Sequence, residues 1–407
     1  MFFTQTPSCR RAHYDSKSRS IRLSPLNLTL VVSLIGYSGV TAARVLLSLY
    51  ALELGASPAE IGLLVASYFA LPLVLSWPIG VWADRIGSRG LLMGGLITGV
   101  IGMAIPWFAP NLAALYLAGT LSSAAFVFCN VLTQNIIGLL STPDERARNF
   151  SNASLMGSGS NILGPLIAGF AIDHAGHATA SLCAAGLLLM ALVLVAVWGG
   201  TLPAGGGKRA ATASSSLRER LSDKAVMSVI LITTLVQIGQ DLFMFYMPIY
   251  GHSIGLSASA IGAILASFAT ASSLVRVVLP PIIKRFGEEK LLASTFVVAA
   301  LSFVMLPMSE NALILGLISF CFGLGMGCGM PITMMMLFSR APDGRSGETI
   351  GLRQAVNNFV RVITPPIFGV IASVAGLLPV FLVSALLMGG GALAVRPKTS
   401  PDKPDDK

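Results

Sequence analysis

The chain alternates between long apolar runs and brief polar interruptions. A helix needs roughly 20 mainly apolar residues to cross the hydrocarbon core of a bilayer. Twelve runs meet that length: 26–51, 59–82, 91–108, 112–137, 150–172, 178–198, 225–250, 258–283, 291–308, 312–338, 349–372 and 376–395. The connections are short except at 199–224, where GGGKRAATASSSLRER has the Gly, Ser, Ala and basic make-up of a flexible linker. The pattern predicts an all-α membrane protein: a tail at 1–25, a six-helix bundle at 26–198, the linker, a second six-helix bundle at 225–395, and a tail at 396–407. No connection is long enough to hold a soluble catalytic domain.

Composition narrows the choice further. Of 407 residues, 54% are hydrophobic and only 11% charged, against about 25% charged in soluble proteins. So little charge cannot cover the surface of a soluble enzyme, and it excludes a disordered chain. The net charge of +9 would suggest nucleic acid in a soluble protein, but here its distribution sets orientation instead. With the N-terminus in the cytoplasm, every Lys and Arg falls in a cytoplasmic tail or connection except Arg44, Arg276, Arg353 and Arg361, which lie inside helices. This is the positive-inside bias of an inner-membrane protein, with both termini cytoplasmic. Residues 1–25 lack the apolar core of a signal peptide and are expected to be a cytosolic extension. The five cysteines form no CxxC pair and the four histidines no ligand spacing, so neither a disulfide framework nor a metal or cofactor site is expected. No G-x-x-x-x-G-K-[ST] loop is present to bind ATP.

The two halves repeat at an offset of 200. GASPAEIGLLVASY at 55–68 falls on GLSASAIGAILASF at 255–268, DRIGSRG at 84–90 on KRFGEEK at 284–290, Gly169 on Gly369, and Ala175-Gly176 on Ala375-Gly376. Parallel six-helix repeats suit alternating access, with a binding site near the bilayer midplane between them.

Residues 80–90, GVWADRIGSRG, lie between the second and third runs. They resemble the signature G-x-x-x-D-R-x-G-R-[KR]-[KR] of the major facilitator superfamily. Gly80, Asp84, Arg85 and Gly87 match, Arg89 keeps a basic position, and Ser88 stands where the family usually has another basic residue. The resemblance extends to the twelve runs, the central linker and the repeat, and it implies that family's fold of two pseudo-symmetric bundles. It also implies a conformational gate. Asp84 would close the cytoplasmic side against the helix N-terminus near 347–349, where free amides and the positive dipole end favour an anion. The alternative is a charged loop that only fixes topology. In the fifth run, SNILGPLIAG at 160–169 resembles the glycine–proline motif of family antiporters, with Ser160 and Ala168 in place of two glycines. Gly157, Gly164, Pro165 and Gly169 are expected to allow close helix packing and a bend. That motif favours export. The arginine that many family antiporters carry in the fourth helix is missing from LYLAGTLSSAAF, 115–126, which counts against a standard drug/proton antiporter.

Ionisable groups inside a membrane helix are costly and need a reason. Tyr37, Thr41, Arg44 and Ser48 share one helical face, and Gln237, Asp241, Met244 and Pro248 are the same positions shifted by 200. Both stripes are expected to face a central cavity, where Arg44 and Asp241 can pair. A third stripe holds Arg353, Asn357, Arg361 and Thr364, and Arg276 follows Ser272 and Ser273. Arg353, close to the cytoplasm, is expected to tie helices or snorkel. Four arginines against one deep carboxylate favour an anionic or amphiphilic ligand, held mainly by Arg361, with Arg44 shared between it and Asp241. Asp241, alone among deep carboxylates, is the candidate proton carrier, the alternative being a permanent structural pair with Arg44.

The expected protein is therefore a proton-coupled secondary transporter, not an enzyme, that moves a small organic solute across the inner membrane, with export favoured. Its expected partners are the bilayer, the substrate and protons. No nucleic acid is expected, and the chain should be monomeric. Two alternatives stay open: proton-coupled uptake of an organic anion, and a non-transporting sensor with the same fold.

Overall fold

In the computed structural model, residues 24–202, 224–340 and 346–395 are described. The tails (1–23 and 396–407), most of the linker (203–223), the side chain of Asp84 and those of 340–351 lie outside that part. Among the described residues there are twelve long helices. They are α1 (Pro25–Glu53), α2 (Pro58–Ile86), α3 (Ser88–Phe108), α4 (Leu112–Leu140), α5 (143–175), α6 (177–198), α7 (Lys224–Ser253), α8 (Ala258–Phe286), α9 (Glu288–Met305), α10 (Ala312–Arg340), α11 (Ser346–Ala375) and α12 (Leu377–Ala394). The run Pro143–Trp198 divides into two helices at Gly176, whose φ of 76° and ψ of 166° turn the chain back on itself. No strand occurs among the described residues.

The connections follow from single residues. Ser57 and Ser257 accept hydrogen bonds from the backbone N–H groups of Glu60 and Ala260, capping α2 and α8. Glu60 returns a bond to the Ser57 backbone, completing a capping box. The positive-φ glycines come in three pairs: Gly55 with Gly255, Gly87 with Gly287, and Gly176 with Gly376. Each pair is separated by the same 200 residues, so the sequence repeat is also a backbone repeat. At Gly87 the turn is so tight that the expected loop between the second and third helices shrinks to this one residue. Only glycine takes that conformation without strain.

Within each half the helices bundle around small residues. α1 lies along α5, α3 along α4, and in the second half α8 along α10 and α9 along α12. The halves meet where α2 packs on α11, α5 on α8, and α1 on α7. The start of α1 and the end of α12 lie on one face, here called the near face, and the seam between halves lies at the far face. Four glycines make that seam. A Cβ at Gly62 would come within 3.0 Å of the Pro365 carbonyl oxygen, and at Gly262 of that of Pro165. At Gly169 it would meet the carbonyl of Ala258 and at Gly369 that of Pro58, again within 3.0 Å. These are the same two contacts made twice, once by each repeat. Backbone packs on backbone, and no side chain can enter without parting the helices.

Each glycine seam ends in a cap, and the two caps differ. Asp173, at the far end of α5, accepts the backbone N–H groups of Ala258 (2.9 Å) and Ser259 (2.8 Å) at the start of α8. At the equivalent place Ser373 accepts the N–H of Ala59, 3.0 Å away, at the start of α2. Partial burial works against the Asp173 carboxylate, but hydrogen bonds from Ser259, Ala258 and Ser257 outweigh it and hold the carboxyl below its usual range. Loss of a helix cap costs ~1 kcal/mol. Valine at Gly62 or Gly169 is therefore expected to open the far face. The readout is a cysteine placed at Met244 in a chain freed of its native cysteines. A membrane-impermeant maleimide added at the far face should label it several-fold faster in Gly169→Val than in the parent. Asp173→Ala should act in the same direction, and more strongly than Ser373→Ala.

Candidate functional site

Below the seam, one carboxylate joins the halves. Asp241 on α7 accepts two hydrogen bonds from Arg361 on α11, Nε to Oδ2 at 2.8 Å and Nη2 to Oδ1 at 3.3 Å. Gln237, one turn away on α7, donates to Oδ2 at 2.9 Å. Arg44 on α1, from the other half, stands with Nη2 3.5 Å from Oδ1. The ring of Phe69 on α2 lies against both cations, 5.1 Å from the Arg44 guanidinium carbon and 5.0 Å from that of Arg361. Cation–π contacts of this kind contribute ~1 kcal/mol each, more when desolvated. Only 12% of the Asp241 side chain is exposed. A charge so enclosed persists only when paired and hydrogen-bonded, and here Arg361, Gln237 and Arg44 do that.

Two chambers that share three lining residues extend from the cluster toward the near face. The first, of about 140 Å³, is lined by Arg44, Gln237, Gln240, Asp241, Arg276 and Arg361, with Ser158, Asn161 and Ser272. The second, of about 400 Å³, lies toward the near face and is lined by Tyr37, Thr41, Phe126, Asn130, Gln134, Phe150 and Gly157. Ser158, Asn161 and Arg276 border both. With the far face sealed by four glycine contacts, the chambers lie between that seal and the near face. This is a mid-membrane site closed on one side, and it can hold a small organic molecule.

The family model described as the Major Facilitator Superfamily matches residues 29–359 and 229–407. The chain belongs to the major facilitator superfamily. It is 25% identical over 313 residues to the class C tetracycline resistance protein of Escherichia coli, covering 75% of this chain and 78% of that one. It is 22% identical over 363 residues to the quinolone resistance protein NorA of Staphylococcus aureus strain MRSA252, covering 87% and 91%. A variant of the nucleoside transporter NupG has the same fold, with a TM-score of 0.77 at 14% identity over 91% of this chain and 99% of that one. This chain is accordingly a multi-pass membrane transporter of that superfamily.

The superfamily frame shows how the predicted residues are distributed. Arg44, Gln237, Asp241, Arg276 and Arg361 come together in the first chamber, and Tyr37 faces the second. Asn357 does not join them. It is 3% exposed and accepts a hydrogen bond from Thr234 at 3.0 Å, tying α11 to α7 behind the cavity wall. The expectation for Arg361 also changes. It is the closest partner of Asp241, so its planar fork is already engaged. Arg353 is buried outside both chambers, and its Nε and Nη1 find no hydrogen-bond partner among the described residues.

In the glycine–proline segment, Gly164 abuts Thr41 and the Ala42 amide of α1, Gly169 sits in the far seam, and the Pro165 carbonyl meets Gly262. Gly157 is not a packing glycine: a Cβ there would meet nothing within 4 Å, because it faces the second chamber. Ser160, at a motif glycine position, is a helix tie. It donates to the Leu34 carbonyl at 2.9 Å and its own carbonyl accepts from Thr41 at 2.9 Å. In the signature, Gly80 has open space around it, and Arg85 is exposed. Arg89 donates to the Ala196 carbonyl at 2.8 Å, binding α3 to α6 within its own half rather than reaching across. The expected contact of Asp84 with the start of α11 lies outside the described residues. Ser88 is 1% exposed beside Gly87, in a place with no room for the family's usual basic side chain.

Phe69 and Asn161 are site residues that the intramembrane charges and stripes do not reveal. Phe69 is an apolar residue in an apolar helix, and nothing in its residue type flags it. Asn161 is the repeat equivalent of Arg361, and that offset would have found it. Removing the shared counter-charge should show how far the cluster depends on it. Asp241→Asn leaves two guanidiniums facing one another and is expected to cost about 3 kcal/mol. The effect should appear as a lower midpoint of thermal unfolding in detergent, and adding Arg361→Gln should recover part of it.

Proposed function

We propose that the chain is a proton-coupled secondary transporter that exports a small organic solute by alternating access. The observation that carries this reading is the Arg44–Asp241–Arg361 cluster, which spans the two halves at mid-membrane. Protonating Asp241 would remove the only negative charge between two guanidiniums and loosen α1 from α7. Losing the proton would restore the bridge. A carboxylate that opens to alternate sides as the halves rock can thus link proton movement to the rocking. The one-sided distribution of Lys and Arg supports placing the near face in the cytoplasm, which makes the described state inward-facing. Relatives named for tetracycline and quinolone resistance support export as the direction. In this reading Gly80, Asp84, Arg85, Gly87 and Arg89 belong to a cytoplasmic gate that forms when that side closes.

One observation favours a second reading, uptake of an organic anion together with a proton. Arg44, Arg276 and Arg361 face one carboxylate in the first chamber. A proton on Asp241 would leave the arginines free for an anion, so proton and anion would bind together rather than compete. Proteoliposomes carrying trapped pyranine separate the two. Solute added outside the vesicles should drive protons out of the lumen by exchange and carry them in by cotransport, so the lumenal pH moves in opposite directions for the two. Asp241→Asn is expected to abolish gradient-driven accumulation while leaving solute exchange partly intact, and full accumulation by the mutant would refute the coupling role. For the gate, Asp84→Asn is expected to raise several-fold the cytoplasmic maleimide labelling of a cysteine placed at Ser154 in the second chamber. Unchanged labelling would reduce the signature to a topological role.

A further inference from the structure

We infer that Arg276 is the anchor for a carboxylate or similar anionic head group, and that the ligand is an organic anion with a flat apolar body. The inference rests on the reading of the two chambers as the solute's site. Its first support is what Arg276 lacks. Asp241 takes up Arg361 and draws in Arg44, but no ion pair to Arg276 occurs among the described residues. Its hydrogen bonds among the described residues are two long ones, from Nε to the Gly327 carbonyl and from Nη2 to Ser272 Oγ, each 3.4 Å. A guanidinium has five N–H donors in a planar fork suited to a carboxylate. Most of that capacity is unspent on protein groups.

The second support is position. Arg276 borders both chambers, with Ser158 and Asn161 opposite. Counted along the helices from the far-face ends of α7 and α8, it lies roughly 9 Å nearer the near face than Asp241. A solute entering from that side meets it before the ion cluster. On its other side the larger chamber offers Tyr37, Phe126 and Phe150. Tyr37 and Phe126 pack edge to face, with centroids 6.4 Å apart, and form an aromatic wall for a ring. Head at Arg276 and ring against that wall is the orientation the two chambers allow. The third support is asymmetry. The repeat equivalent of Arg276 is Ser76, which turns its hydroxyl back to the Pro72 carbonyl. The cation thus departs from the pattern that shapes the seam and turns, as a solute-specific feature would.

The test uses three probes that share one body: naphthalene-2-carboxylate, its neutral carboxamide and the cationic 2-naphthylmethylamine. Binding to the full-length protein in nanodiscs is followed by calorimetry. The carboxylate is expected to bind at least about tenfold more tightly than the amide, with the amine weakest. Arg276→Gln should erase the difference, and Arg276→Lys should keep part of it. A readout that needs no variant is modification by phenylglyoxal, mapped by mass spectrometry. Arg276 should react in the free protein and be protected by the carboxylate but not by the amide. Equal binding of all three, preference for the amine, no carboxylate binding at millimolar concentration, or a preference that survives Arg276→Gln would overturn the inference. Failure of transport in proteoliposomes would instead remove the transporter reading, while the protection experiment would still report on Arg276.

Discussion

One carboxylate in a low-dielectric interior constrains much of this molecule. Asp241 can stay ionised at mid-membrane only because Arg361, Arg44 and Gln237 converge on it, and their helices must lie where they do for that to happen. The pairing is unequal. Arg361 meets both oxygens from within the same half, whereas Arg44 approaches one oxygen at a longer distance from the other half. The intra-half contact is therefore the anchor, and the inter-half contact is the one that can be made and broken at modest cost. Phe69, in contact with both cations, stabilises them without supplying a charge that would compete for the proton.

Around this point the repeat supplies shape and departures from it supply chemistry. The turns and seam glycines obey the 200-residue offset: Gly55 and Gly255, Gly62 and Gly262, Gly169 and Gly369. The charged positions do not. Asp241 faces Thr41 in the alignment of halves, Arg44 faces Met244, and Arg361 faces Asn161. A symmetric scaffold lets the halves rock about a shared axis, while an asymmetric lining lets the cavity distinguish one end of a solute from the other.

Much of the fold could be read in advance because bilayer thickness and helix rise leave few ways to arrange twelve apolar runs. The break at Gly176 was marked by its repeat partner Gly376. The site was legible in part, because intramembrane charges are conspicuous: Asp241 and Arg44 announced themselves by type and face. Asn357 misled because it shares a helical face with Arg361, yet α11 turns that position into the contact with α7. Gly157 misled for the opposite reason. A glycine in a glycine–proline segment suggests packing, but its neighbour here is the cavity. Neither outcome depends on local sequence. Both are set by the rotation of a helix against partners far away in the chain.

The unequal caps of the far face bear on how the molecule moves. One seam ends in an anion holding two amides of α8, the other in a hydroxyl holding a single amide of α2. The glycine contacts beneath them are otherwise alike. Two bundles parting from such an arrangement would not separate evenly. The α2–α11 edge would yield first, while α5 and α8 remained joined as the hinge line. The first passage to the far side would then be a lateral cleft beside α2 and α11, with Arg44 and Phe69 nearest its mouth, rather than a pore opening along the axis of symmetry.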